Sequence, residues 1–469
     1  MKVVPVVRVN DAEQAQRLVR LLGETPLAIR MPGPVAAEIP SSIVGHVLGA
    51  GWTVLVGGWS DPILASLPES SRRLQLERDI DWWRRSGVDH LAGWVNEGWE
   101  PSLVATFTLA GLDQVFVRWP DPIPPGPVMT DYTGDSVVVF PLGSPVVPIL
   151  LDPAELVGSP VPPGEMLDPP LPRMEPPVDR AWVASFAGDP EVALLYRKML
   201  RLARRLPERI PAEVVEWLCL AQSAGAYRPG VDRTFAHAAL AAARHRLDLG
   251  RRRPSEWTRL SVLDWDADGV DEVQVETQVL SLVVDPGAGL LTYIDHKPAE
   301  RAVNYIPGQA PWHLAQVLVG DHTHRLALAL GGVEEVRDRA AITSTGDGIA
   351  HTVAIAGSTL SLHYRLTGDM GYERLGLEMA LAFFDPITLR VDGAAWEEIS
   401  APSAVAGHRF RLQAGSAEIL IALDQPGDLF LRPVPGGLVA WANWPLLSPL
   451  ADVVENRVAE YRMTVEIIG

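Results

Sequence analysis

Residues 90–119, HLAGWVNEGWEPSLVATFTLAGLDQVFVRW, read as a strand, a loop, a helix and a second strand. HLAGWV and DQVFVRW are short apolar runs without alternation, the pattern of strands covered on both faces. Between them, EPSLVATFTLAG has Pro101 at its start and Gly111 just after its last apolar turn, which are helix start and stop signals. Strand, helix and strand in this order make a parallel β/α unit.

The same alternation extends toward the N-terminus. VVPVVRV, PLAIRM and WTVLVGG read as strands; DAEQAQRLVRLL, SSIVGHVLGAG and SRRLQLERDIDWWRRSG read as helices, the first with Asp11 as N-cap. Toward the C-terminus the pattern breaks. Five of the nine residues 119–127 are proline, as are eleven of the thirty-four residues 144–177. Proline at that density removes backbone donors and blocks helix. One strand pair, VMTDYT and SVVVFPL, fits between the two stretches. Residues 189–250 turn helical, with Asp189 as cap and Pro190 at the first helical position. From 255 onward alternating segments such as AHTVAIAGSTLSLHYRLTG are separated by Gly, Asp and Pro turns, which predicts a β-sandwich. The expected domains are a β/α barrel-like part at 1–143, a Pro-rich extended segment at 144–188, a helical domain at 189–254 and a C-terminal sandwich at 255–469.

The formal net charge of the 469 residues is −18, which repels phosphate backbones and anionic lipid. Nucleic acid and membrane surface are thereby disfavoured as partners, while neutral substrates such as sugars remain open. No uncharged apolar run approaches the roughly 18 residues of a membrane span, and the N-terminus lacks a signal-peptide pattern. These features predict a cytoplasmic protein. The single cysteine, Cys219, lies in an apolar helical pattern and is expected to be a buried structural thiol.

Several stretches, in order, resemble glycoside hydrolase family 57, the α-amylase and 4-α-glucanotransferase family. LVGGWSDPILASLPESSRRLQLERD is similar to its Gly-Gly-x-Tyr-Glu-Pro-Ile-Leu segment and the helix after it. AGWVNEGWEPSLVATFTLAGLDQVFV is similar to its Trp-Leu-x-Glu-Arg-x-Trp-Glu-Pro segment. LLYRKMLRLARRL and LCLAQSAGAYRPG resemble its helical stretches, and LDWDADGVDEVQVETQVLSLVVDPGAGLLTYIDHKPAERAVNY resembles the first strands of its sandwich. The resemblance implies a reduced, distorted (β/α) barrel, a helical segment and a C-terminal β-sandwich. It also implies retaining chemistry on α-glucans, with Glu97 at the nucleophile position. Retention needs a second carboxyl, the acid/base, about 5–5.5 Å away.

The catalytic motifs depart from the family pattern. Gly98 alone stands where the family has Arg-x after its nucleophile. The first strand, VVRVN, lacks the family's histidine. Ser60-Asp61 replaces Tyr-Glu, and Arg228-Pro229-Gly230 replaces Trp-His-Gly. The Asp-Asp-x-Glu-Lys-Phe-Gly motif that carries the acid/base has no counterpart between Leu142 and Leu195. The carboxylates of the Pro-rich segment are Asp152, Glu155, Glu165, Asp168, Glu175 and Asp179, none within a motif.

The resulting expectation is a family 57-like protein whose Glu97 is vestigial and which binds an α-glucan or maltooligosaccharide, or a partner protein of glucan metabolism. One alternative is an active retaining hydrolase or glucanotransferase using Glu97. Another is a structural or assembly protein in which the Pro-rich segment plugs the old cleft. Trp59, Asp61, Trp94 and Trp99 are the candidate substrate-binding residues; for the tryptophans, core packing is the competing role. No cofactor is expected. DWDADGVDE places Asp264, Asp266 and Asp268 at alternate positions before Gly269, as a calcium loop begins. Val275 at the twelfth position excludes an EF-hand, so a looser structural Ca²⁺ loop stands against a plain acidic β-turn.

Overall fold

The computed structural model describes residues 6–9, 11–22, 27–95, 97–100, 102–118, 129–130, 136–141, 181–228, 230–249, 257–265, 269–309, 311–319, 322–326, 328–336, 338–346, 348–367, 372–383, 385–446 and 458–468. The chain divides into two compact units, one of Met1–Ile210 with Leu218–Val231 and one of Pro211–Trp217 with Asp232–Gly469.

The first unit is built on β1 (Val6–Arg8), β2 (Ala28–Arg30), β3 (Thr53–Val56), β4 (Leu91–Val95) and β5 (Gln114–Arg118). These five strands pair in parallel and in chain order. An unreversed order is that of a barrel wall; a doubly wound sheet would reverse at a switch point. A short hairpin, β6 (Met129–Thr130) and β7 (Ser136–Pro141), extends the sheet antiparallel beyond β5. The intervening helices are α1 (Ala12–Leu22), α2 (Gly33–Glu38), α3 (Ser41–Gly49), α4 (Glu69–Arg85) and α5 (Ser102–Leu109). Their apolar faces and the strands enclose one core that includes Val54, Val56, Leu76, Ile80, Trp83, Phe107 and Val115. Helix α2 is absent from the sequence reading, because MPGPVAAEIP carries three prolines. Pro34 sits in its first turn, where a missing N–H does no harm.

Helices α6 (Ala181–Gly188) and α7 (Pro190–Arg204) follow. Residues 181–188, expected to be extended, are therefore helical: AWVASFAG contains no proline and lies beyond the Pro-rich run. Asp189 caps α7, its Oδ1 accepting from the backbone N–H groups of Glu191 and Val192 at 2.9 and 3.2 Å. Helices α8 (Ala212–Ala221) and α9 (Thr234–Leu249) complete the helical run. Residues of this helical run fall in both units. The Pro-rich residues 144–177 and their carboxylates lie outside the described residues, as do Arg251–Arg253.

The second unit carries antiparallel strands from Thr258 to Ile468. Two series of pairings form two walls. One runs through Leu290–His296, Trp312–Val319, Arg374–Ala382 and Gly437–Pro445. The other runs through Arg339–Gly346, Ile349–Ala356, Thr359–Thr367 and Val458–Ile468. The long strand Ala417–Val434 joins both: residues 418–423 pair with Val458–Ile468, and residues 428–434 pair with Gly437–Pro445. Strands that switch sheets make the corners of such sandwiches. Alternation is plain in Ile349–Ala356, where Ile349, His351, Val353 and Ile355 are buried and Ala350, Thr352 and Ala354 less so. The apolar sides of both walls share one core. No helix among the described residues is long and apolar enough to cross a membrane.

Candidate functional site

Glu97 lies two residues past the end of β4, at the C-terminal edge of the parallel strands, where β/α folds collect ligands. Gly98 follows at φ +75°. A Cβ there would stand 2.9 Å from Ile63 Cγ2 and 3.1 Å from Trp182 Cδ1. Conformation and space both favour glycine here, and the loop closes as a tight left-handed turn. The Glu97 carboxylate is engaged. Its Oε1 accepts from Arg228 Nη2 at 2.9 Å, the two side chains being 32% and 52% exposed. Arg228 follows the short helical turn Ala224–Tyr227. A guanidinium on a carboxylate stabilises the anion, and here it engages one of the two oxygens a nucleophile could offer.

Glu100 is likewise a partner within the fold. Arg72 Nη2 donates to its Oε1 at 2.7 Å. The same guanidinium donates to the carbonyls of Leu64, Ala65 and Leu67, tying down the turn before α4.

The three tryptophans expected to wall a sugar site are inside the unit. Trp59 is 7% exposed, Trp94 2% and Trp99 3%. Trp59 lies over the backbone of Gly33, where a Cβ would come within 2.0 Å of its Cδ2, and the Arg78 guanidinium stands 4.8 Å from its ring. Trp94 lies against Gly57, whose Cβ would be 3.0 Å from Trp94 Cδ1. Trp59 and Trp94 are packed on glycines and Trp99 belongs to the apolar core, the competing role that the sequence left open for these rings.

Asp61, the fourth candidate substrate-binding residue, is also buried. It takes φ +55° in a turn closed by its N–H donating to the Gly58 carbonyl at 3.0 Å. That turn directs the carboxylate inward, where Oδ1 accepts from Arg30 Nε at 3.3 Å. Arg30, the last residue of β2, is fully buried. Its Nη1 donates to Asp79 Oδ2 at 2.8 Å and to the Leu55 carbonyl at 3.1 Å, and its Nη2 to the Gly58 carbonyl at 2.6 Å. Burial pulls the guanidinium pKa down, but the charges of Asp79 and Asp61 outweigh it and hold the group above its ordinary value.

Beside this cluster, Gln75 on α4 donates to Gln222 Oε1 at 2.9 Å and to the Cys219 carbonyl at 3.1 Å. Ser60 Oγ also donates to that carbonyl. Cys219 itself is buried. Ser60, Asp61 and Gln75 thus bind the turn after β3 to the rest of the unit. The sequence reading missed Arg30, Asp79, Gln75 and Arg228. An available signal was the charge in PLAIRM: an arginine inside a strand covered on both faces requires a buried counter-ion.

In the second unit, Asp264 Oδ2 accepts from the backbone N–H of Gly269 at 3.1 Å, a turn contact. Asp266 and Asp268 lie outside the described residues. Among the described residues no three His, Cys, Asp or Glu side chains are grouped to hold a metal ion.

No family model matches the chain. A stretch of 98 residues is 32% identical to the alpha-amylase of Pyrococcus horikoshii and 31% identical to the 4-alpha-glucanotransferase of Thermococcus kodakarensis. The match takes in 19% of this chain, and only 16% and 15% of the length of those relatives. In fold the chain is similar to the 4-alpha-glucanotransferase of Thermococcus litoralis, with a TM-score of 0.71 at 14% identity over 99% of each chain. The parallel sheet wound in chain order, the antiparallel second unit and this shared stretch agree, and the chain is glycoside hydrolase family 57-like.

Proposed function

We propose that this chain is a non-catalytic relative of the α-glucan-processing enzymes, and that it binds an α-glucan or maltooligosaccharide, or a partner protein of glucan metabolism. The observation that carries the reading is the ion pair between Glu97 and Arg228. Double displacement requires a free carboxylate to attack the sugar carbon and a proton donor for the leaving oxygen. Here the first is bound by a guanidinium, and the motif that would supply the second is missing from the sequence. The burial of Trp59, Trp94 and Trp99 supports the same reading, since none of these three rings is offered to a sugar beside Glu97.

One observation favours an active retaining hydrolase or glucanotransferase instead: Glu97 keeps its place past β4 and is partly exposed. Chromatography after long incubation with maltoheptaose separates the two. The proposed reading expects the substrate to be recovered intact from the wild type and from Glu97→Gln alike. Shorter or longer oligosaccharides made by the wild type and lost in the variant would overturn it.

A further inference from the structure

One wall of the second unit presents to its non-core side a set of groups that the proposed function leaves unused. His313 on Trp312–Val319 pairs with Glu378 on Arg374–Ala382; Glu378 pairs with Trp441 on Gly437–Pro445; Trp441 pairs with Phe430 on Ala417–Val434. Directly paired residues of an antiparallel sheet share a face. The four side chains therefore form one row across four strands. Their chain neighbours Leu377, Met379, Ala440, Ala442, Leu429 and Leu431 point the other way, into the apolar core.

The row is chemically ordered. At one end Glu378 is held by donors: Gln316 Nε2 reaches its Oε2 at 3.0 Å and Arg325 Nη2 its Oε1 at 3.4 Å. His313 Nε2 lies 3.9 Å from the same Oε1. At the other end Trp441 and Phe430 stack, with centroids 5.5 Å apart and planes at 26°, both rings half-buried. Arg374 lies over Phe430 at 5.2 Å and is paired with Asp428.

Several polar atoms in the row have no hydrogen-bond partner among the described residues. They are both ring nitrogens of His313, Oε1 of Gln316 and Nε1 of Trp441. His313 and Gln316 are only 5% and 4% exposed. Buried polar groups are nearly always paired, and those that are not call for an explanation. Burial, helped by the Arg325 charge, pushes the His313 pKa down to about 4. At neutral pH its ring is uncharged, with one donor and one acceptor. The local charges cancel, Glu378 against Arg325 and Asp428 against Arg374, so the row selects neither an anion nor a cation.

A neutral ligand with hydroxyl groups that both donate and accept, and with an apolar C–H face, matches this set. We propose that this face of the second unit is a saccharide-binding site. Trp441 and Phe430 form the stacking platform, and Glu378, His313 and Gln316 take the hydroxyls. The choice of α-glucosyl units as the saccharide rests on the proposed function; the site itself does not.

Isothermal titration with maltoheptaose and, separately, with glucose and galactose tests it on the full chain. The wild type is expected to bind maltoheptaose. Trp441→Ala is expected to weaken binding tenfold or more, Trp441→Phe to keep most of it, and Glu378→Gln to lose several-fold. Thermal melting reports whether each variant is folded. If Trp441→Ala does not fold, Trp441→Phe and Glu378→Gln decide. Binding of a monosaccharide but not maltoheptaose, lost in the same variants, would uphold the site and overturn the glucan reading. Wild-type affinity in Trp441→Ala and Glu378→Gln, or no saccharide binding by the wild type, would overturn the site.

Discussion

Replacing Arg30 with methionine is expected to destabilise the first unit by about 3–5 kcal/mol, the usual effect of removing one partner from a buried ion pair. Arg30 and Asp79 are both fully buried, and Arg30 also serves Asp61 and the carbonyls of Leu55 and Gly58. Methionine fills much the same volume but takes away the charged partner of the buried Asp79, whose Oδ2 keeps only the Gly57 N–H at 3.2 Å, and the guanidinium's hydrogen bonds to Asp61 and two carbonyls. Lysine is not a conservative replacement, because one ammonium cannot reproduce the forked contacts of a guanidinium. Urea unfolding followed by circular dichroism measures the loss. Adding Asp79→Leu to Arg30→Met is expected to recover part of it, since the stranded charge goes too. A wild-type midpoint for Arg30→Met would show that the cluster does not hold the unit together.

Acid is expected to weaken the second unit through His351. The ring is 1% exposed, lies within the sandwich core and stacks on Tyr364 with centroids 4.6 Å apart. Burial, with a smaller contribution from the His363 charge, pushes its pKa down to about 3. In the unfolded chain the ring protonates near its ordinary value of about 6.5. The unfolded state therefore binds the proton first. Stability is complete above about pH 6.5 and falls as the pH drops from there toward 3, by about 1.4 kcal/mol per pH unit for this one group. Between pH 7 and pH 4 His351 alone accounts for about 3 kcal/mol. His296 and His313, both pushed down to about 4 by burial, act in the same direction. Urea unfolding of the wild type and His351→Phe at pH 7, 5 and 4 isolates the share of His351. The variant should lose distinctly less stability over that range; equal losses would contradict the assignment.

Much of the fold was legible because it is written in short-range signals. The five parallel strands, α3, α4 and α5 follow from apolar runs punctuated by glycine and proline. The sandwich strands follow from alternation such as that of Ile349–Ala356. What was not legible depends on residues far apart in the chain. Arg30 meets Asp79 across 49 positions, and Arg228 meets Glu97 across 131. Nothing local to YRPG marks Arg228 as the partner of a carboxylate on another loop. The tryptophans show the same limit in another form. An aromatic at the end of a strand suits a ligand wall or a core equally well. The deciding features are Gly33 and Gly57, whose missing side chains admit the rings of Trp59 and Trp94 to the interior. The His313–Glu378–Trp441–Phe430 row was invisible for the same reason, since its members come together only through strand register.

The nucleophilic competence of Glu97 can be measured apart from the missing acid. A fluorinated α-glucosyl fluoride carries a leaving group that departs without protonation, so a working nucleophile forms a covalent glycosyl ester with release of fluoride. Intact-protein and peptide mass spectrometry after prolonged incubation reads the result. With Glu97 held by Arg228, the protein mass is expected to stay unchanged. An added glycosyl mass on the peptide containing Glu97, absent in Glu97→Gln, would show that the carboxylate still attacks sugar and that the chain is an enzyme.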